Sequence, residues 1–348
     1  KLNVIIFIVL FNLKGDQMKI LFIGGTGNIS TACSRLAVSH GFDLYLLNRG
    51  RHPVEIPGAK SLMADINQPE QVRRALGGMT FDAVVNWIAY SPLEVQRDIA
   101  LFRGKTRQYI FISSASAYQK PLTHPVITES TPLSNPFWEY SRNKIACEAL
   151  LQQAYRQESF PATIVRPSHT YDTQIPSAFH SGTSFGLIAR MRRGEKVIIH
   201  GDGTSLWVMT HAEDFAKGFV GLLANPHTIG HAFHITSDEV LTWNQIYETI
   251  AEAAGAKLNA VHIPSDFIAR YDANVGDGLL GDKAYSVIFE NTKIKTFVPG
   301  YCATIPFHEG IRRTLAWFEA DPARQKSVPE EDASIDRILA AYERPLNE

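Results

Sequence analysis

From Met18 to about Arg166, short apolar runs alternate with segments of helical periodicity. The apolar runs are 19–24, Leu44–Asn48, Ala83–Trp87, Tyr109–Ser113 and Thr163–Val165. Each has strand length, and helical stretches fall between them at about 28–40, 68–76, 92–103 and 136–155. Repeated β-α-β units predict an α/β fold with a parallel, doubly wound sheet. Such sheets bind ligands beyond the carboxyl ends of their strands. The residues just past each apolar run are therefore the ones to inspect.

After Pro167 the alternation is lost, and Pro, Gly, His and Ser are frequent through Ser184. Helices are expected at about 185–193, 213–223 and 242–254, with a strand over Lys196–His200. The pattern predicts a first domain over 18–170. A smaller substrate domain over 171–325 follows, with segments returning to the first, and then a helical tail over 326–348. Residues 1–17 stand apart. Val4–Phe11 is apolar but too short to span a bilayer as a helix, and no small-x-small cleavage site follows. Lys14-Gly15-Asp16-Gln17-Met18 back-translates to a purine-rich ribosome-binding sequence before a start codon. Residues 1–17 are therefore read as a translated leader or non-native extension, with the native start at Met18. The alternative is a genuine extra strand or anchor.

The first apolar run ends in Gly24-Gly25-Thr26-Gly27-Asn28-Ile29-Ser30. A strand, a tight glycine turn and a helix start form the cradle in which a Rossmann-type sheet holds a dinucleotide pyrophosphate. Unpaired N–H groups and the positive end of the helix dipole face the phosphates there. The spacing is G-x-x-G-x-x-S. Ser30 stands where a third glycine would allow close helix–strand packing, so slightly looser packing is expected.

Composition excludes more than it selects. Net charge is −1, which gives no field for nucleic acid or an anionic membrane. The cysteines, Cys33, Cys147 and Cys302, are far apart, so neither a disulfide framework nor a zinc spacing appears. A reducing cytoplasm fits best. The histidines show no H-E-x-x-H pairing, and no metal site is indicated.

A second constellation sharpens the first. Asn135-Pro136 reads as a helix start, with Asn as cap and Pro at the first position. The helix then carries Tyr140 and Lys144, four residues apart and on one face. An ammonium beside a phenol favours the phenolate and is expected to lower the tyrosine pKa. Ser114 lies just past the strand Tyr109–Ser113, where a hydroxyl can hold a substrate oxygen.

With these residues the chain resembles the short-chain dehydrogenase/reductase superfamily, in its extended, epimerase/dehydratase-type branch. The resemblance covers about 18–320. It includes Ile164-Val165-Arg166-Pro167, Tyr171, and Gly201-Asp202-Gly203 with His211 and Asp214. It implies a catalytic triad of Ser114, Tyr140 and Lys144. The implied cofactor set is Gly24, Thr26, Gly27, Asn28, Ile29, Asn48, Arg49, Asp65, Ile66, Trp87, Ile88, Ala89, Lys144 and Pro167. Ser116, His169 and Trp207 are expected on the substrate side. The implied activity is NAD(P)-dependent oxidoreduction or epimerisation at a hydroxyl or ketone carbon of a sugar or sugar derivative. A homodimer is the fold-level expectation.

Departures from the branch narrow this. After the second strand stands Asn48-Arg49-Gly50-Arg51, with no carboxylate for a ribose 2′-hydroxyl and two guanidiniums for a 2′-phosphate. NADP is favoured over NAD. Trp207 occupies the place where nucleotide-sugar enzymes carry a phosphate-binding Arg, so a nucleotide-diphosphate substrate is disfavoured. Two readings of Trp207 stand side by side: stacking on a sugar or aromatic ring, and a core tryptophan, which fits at least as well. The alternative function is non-catalytic nucleotide or RNA binding, as in atypical members of the superfamily, which tend to lack the tyrosine–lysine pair. Sugar-nucleotide dehydratases carry an Asp-Glu pair where this chain has Ala115 and Ser116, so dehydration lacks its carboxylates. Nucleotide-activated hexoses are expected to yield no 4-keto-6-deoxy product. Its detection by mass spectrometry would overturn this reading of residues 115 and 116.

Overall fold

The computed structural model describes residues 17–50 and 54–344. The leader reading of 1–17 falls on residues that, Gln17 apart, lie outside the described ones. The strands of the main sheet are β1 Lys19–Ile23, β2 Asp43–Asn48, β3 Lys60–Met63, β4 Ala83–Asn86, β5 Tyr109–Ile112, β6 Ala162–Pro167 and β7 Ala232–Ile235. All pair in parallel, in the order β7-β6-β5-β4-β1-β2-β3. Strands β1, β4 and β5 are largely apolar on both faces, and these and β6 are almost wholly buried. A strand covered by helices on both sides needs that continuous apolarity.

The covering helices are α1 Ser30–Ser39, α2 Pro69–Leu76, α3 Pro92–Phe102, α4 Glu139–Glu158 and α5 Ala212–Val220. Ser91 and Glu94 form a reciprocal capping box that starts α3. The expected start of α4 is corrected. The helix begins at Glu139, and Asn135 sits in a turn before it. Asn135 Oδ1 accepts from the N–H groups of Phe137 and Trp138 at 3.2 and 3.1 Å, which uses the cap chemistry one turn early.

Residues 212–235 return to the sheet. Helix α5 packs beside α1 through Phe215 and Phe219, and β7 extends the edge beyond β6. A second core is built around Trp207, Trp243, Tyr247 and Phe307. The tail helix Pro329–Tyr342 buries Ile335, Ile338 and Leu339 against Phe179, Ile198 and Leu279.

One ion pair crosses the main sheet's helical layer. Glu148 on α4 receives Arg166 of β6 at 2.9 and 2.6 Å, and Ser113 Oγ at 2.5 Å. Removing one partner of a buried pair leaves a lone charge in a low-dielectric interior. Glu148→Ala is expected to cost about 3–5 kcal/mol of unfolding free energy, read from urea denaturation. A loss under about 1 kcal/mol would show the pair to be solvated.

Candidate active site

The glycine turn is built as its sequence requires. Gly24 and Gly25 have φ of 92° and 95°, a region that side-chain-bearing residues avoid. A Cβ on Gly25 would lie 2.7 Å from Leu46, and one on Gly24 3.2 Å from Ile88. Ser30 does more than substitute for glycine. Its Oγ accepts from Gly27 N–H at 2.8 Å, while Ser34 Oγ donates to the Gly25 carbonyl at 2.7 Å. Among the described residues no backbone acceptor outside α1 meets the N–H groups of Asn28 and Ile29. Asn28 Nδ2 crosses to the Thr170 carbonyl at 3.0 Å, leaving its buried Oδ1 unpartnered. These groups open into a cleft of about 560 Å³. Free amides, two positive-φ glycines and an uncapped helix start fit a dinucleotide pyrophosphate.

The far end of the cleft is lined by Asn48, Arg49, Asp65, Ile66 and Asn67. Asn48 Oδ1 accepts from Gly50 N–H at 2.9 Å, and Asp65 Oδ1 from Asn67 N–H at 3.0 Å, so both side chains shape their own loops. Arg51 lies outside the described residues. Near the middle, Asn86 Oδ1 accepts from Ile88 and Ala89 N–H at 2.8 and 2.9 Å. That turn aims Trp87 and Ile88 into the cleft. Asp98 backs Asn86 and also accepts from Tyr109 Oη at 2.6 Å and Arg97 Nη2 at 2.8 Å. Ala89 does not line the cleft. It is 1% exposed, and its carbonyl accepts from Lys144 Nζ at 2.8 Å.

Ser114, Tyr140, Lys144 and Pro167 come together at the other end. Lys144 Nζ also donates to Ile112 O at 2.7 Å, and lies 5.7 Å from the Tyr140 ring centroid. Burial pushes its pKa down to about 8. The expected lowering of the Tyr140 pKa is corrected. Burial raises it, a hydrogen bond with Ser114 opposes the rise, and the Asp282 carboxylate adds to it. Lys144 is turned onto two backbone carbonyls, which is why the phenol does not feel it as a direct partner.

The substrate-side residues are placed differently from expectation. Trp207 is not in the cleft. It is 2% exposed in the second core, 5.5 Å from Trp243 between ring centroids. An indole between a short strand pair and a second tryptophan is core packing, so stacking on a ligand is not what this geometry does. Ser116 is also buried, and bonds Ser114 Oγ at 2.9 Å instead of facing the cleft. His169 lies against Trp243 outside the cleft lining, with a buried, unpartnered Nδ1, and burial pushes its pKa down to about 3. The Gly-Asp-Gly…His-x-x-Asp segment is structural. His211 Nδ1 accepts from Glu213 N–H at 3.3 Å at the start of α5, and Asp214 accepts from Thr304 and Ile305 N–H at 3.0 and 2.8 Å.

Sequence reasoning missed Ser168, Thr170 and Gln174, which line the cleft past β6. It also missed Asp282, whose charge reaches Tyr140 from a π-helical turn over Leu279–Lys283. Only a strand-end position could have flagged the first three, and nothing local flags the last. Among the described residues no cluster of metal-ligating side chains occurs, and no helix is long and apolar enough to cross a membrane.

Residues 20–236 match the NAD dependent epimerase/dehydratase family. The chain belongs to that family. It is similar to 2′-dehydrokanamycin reductase of Streptomyces kanamyceticus, 25% identical over 255 residues that cover 73% of this chain and 72% of that one. It is also similar to the chloroplast stem-loop binding protein of 41 kDa b of Arabidopsis thaliana, 25% identical over 262 residues, 71% of this chain and 66% of that one. Its fold superposes on dTDP-glucose 4,6-dehydratase of Bacillus anthracis, solved in complex with NAD. That match has a TM-score of 0.70 and 16% identity, and covers 88% of this chain and 98% of that one.

Proposed function

We propose that this family member is an NADP-preferring reductase or epimerase acting at a ketone or hydroxyl carbon of a sugar derivative, with reduction the leading direction. One observation carries the reading. Ser114, Tyr140 and Lys144 line the same cleft as the glycine turn, at the end opposite Arg49. A bound nicotinamide cofactor supplies the hydride. The free amides after Gly27 and the cation of Arg49 suit its phosphates.

Ser114 holds the reacting oxygen and Tyr140 exchanges its proton. Tyr140 gives its proton in the reduction direction and takes it back in the oxidation direction. Lys144 fixes the loop after β4 to the end of β5 and lines the cleft, where it would hold the ribose of a bound cofactor. Likeness to a reductase that acts on an oxidised aminoglycoside supports a sugar ketone without a nucleotide handle. Dehydration stays disfavoured, because Ala115 and Ser116 offer no carboxylate. Likeness to a stem-loop binding protein supports the alternative of binding without chemistry. The placed tyrosine–lysine pair favours catalysis.

Tyr140→Phe removes a hydroxyl only. Turnover, followed as NADPH absorbance on a substrate the wild type reduces, is expected to fall by about 10²–10⁴-fold with cofactor affinity nearly intact. Lys144→Ala is expected to lose both. Full turnover by Tyr140→Phe would remove the catalytic assignment. Arg49→Asp is expected to weaken NADP binding far more than NAD binding in calorimetry, since a phosphate partner becomes a repelling charge. Equal losses for both would show that Arg49 does not discriminate.

A further inference from the structure

Three serines form a buried hydroxyl chain behind the reacting end of the cleft. Ser141 Oγ donates to Ser116 Oγ at 2.8 Å, and Ser116 Oγ meets Ser114 Oγ at 2.9 Å. Ser141 is fully buried and Ser116 nearly so, at 0% and 3% exposure. Ser114 Oγ also accepts from the Ser116 N–H at 3.2 Å. The turn that holds Ser116 is fixed from outside, because Asn135 Nδ2 donates to both the Ser116 carbonyl at 2.9 Å and the Gly281 carbonyl at 2.7 Å.

The direction of the chain follows from hydrogen counting. Each hydroxyl has one hydrogen to give and two lone pairs to fill. Ser116 Oγ already accepts from Ser141. If Ser114 also donated to it, the hydrogen of Ser116 would be buried with no acceptor, since Ser114 is its sole remaining neighbour among the hydrogen bonds of the described residues. A buried donor left unmade is unfavourable, so the opposite arrangement wins. Ser116 donates to Ser114. The lone pairs of Ser114 are then filled by the N–H and O–H of Ser116, and its own hydrogen is left for the cleft.

We propose that Ser141 and Ser116 are positioning residues that fix Ser114 as a hydrogen-bond donor into the cleft, its one hydrogen going to Tyr140 in the free protein and to the reacting oxygen once a substrate is bound. The substrate oxygen is therefore received as an acceptor, which is the state of a carbonyl. Neither serine touches the substrate; both act through Ser114. Tyr140 and Ser141 are adjacent on α4, so one turn of helix presents the proton donor to the cleft and the anchor of the hydroxyl chain to the interior. This inference rests on the roles given to Ser114 and Tyr140 above.

The test reads the phenol directly and needs no substrate. Protein labelled with ¹³C at the hydroxyl-bearing carbon of tyrosine is titrated by NMR, free and with NADP⁺. The Tyr140 signal is the one missing in Tyr140→Phe. A hydrogen bond donated to an ionised oxygen is worth about 1.5–3 kcal/mol, so its loss raises the pKa by about one unit or more. Ser116→Ala is expected to raise the Tyr140 pKa by about one unit, and Ser141→Ala by a smaller amount in the same direction. Ser116→Thr, which keeps the hydroxyl, is expected to restore the wild-type value. A Tyr140 pKa unmoved in both alanine variants would overturn the proposal. So would a threonine variant that behaves like the alanine one, because packing alone would then account for the effect. If Ser141→Ala fails to fold, the Ala and Thr variants at Ser116 decide. The outcome is separable from the catalytic reading. A pKa that moves as expected, beside full turnover by Tyr140→Phe, keeps the hydroxyl chain and removes the chemistry assigned to Tyr140.

Discussion

The Glu148 carboxylate is the fixed point of the site. It lies on α4 and accepts from Arg166 at the end of β6 and from Ser113 at the end of β5. Two strand ends and a helix are thereby locked at one depth. A carboxylate so buried needs its partners, since an unpaired charge in the interior costs several kcal/mol. The neighbour of Ser113 is Ser114, so the lock sets the height of the hydroxyl that faces the cleft. One turn back along α4, Lys144 repeats the device with backbone carbonyls of Ala89 and Ile112. One more turn back, Tyr140 reaches the rim, 36% exposed. The helix is thus bolted to the ends of β5 and β6 and to the loop after β4, and its exposed end does the facing.

What the sequence made legible follows from how local the cause is. The buried parallel strands are apolar on both faces, so β1, β4 and β5 stand out from their own composition. The glycine turn is legible because only glycine takes a φ near 92° without strain. Strand β3, Lys60-Ser61-Leu62-Met63, was not legible. It is an edge strand with three exposed positions and one half-buried, Leu62, and its pairing to β2 is what makes it a strand. Strand β7 was hidden for another reason. It lies far along the chain in the irregular half, and only its pairing with β6 assigns it to the sheet. The same limit explains Trp207. Its position matched a motif, but burial beneath Trp243 is a property of two distant segments meeting. The Tyr140 pKa shows the limit at a single atom. Spacing placed Lys144 on the same face, and the backbone carbonyls that hold its ammonium come from two other strands' ends.

A polar aromatic core packs outside the cleft lining. Trp243 has His200 at 4.8 Å, Trp207 at 5.5 Å and His169 at 6.3 Å between ring centroids. His200 Nε2 bonds the Lys283 carbonyl at 3.0 Å, and burial pushes the pKa of His200 down to about 4. Both imidazoles are therefore neutral at neutral pH. No guanidinium takes part in this cluster, so it provides none of the bidentate contacts that hold a diphosphate. Asp282 stands between Lys283 and Lys120 at 3.7 and 3.6 Å, and its charge reaches Tyr140 at the cleft.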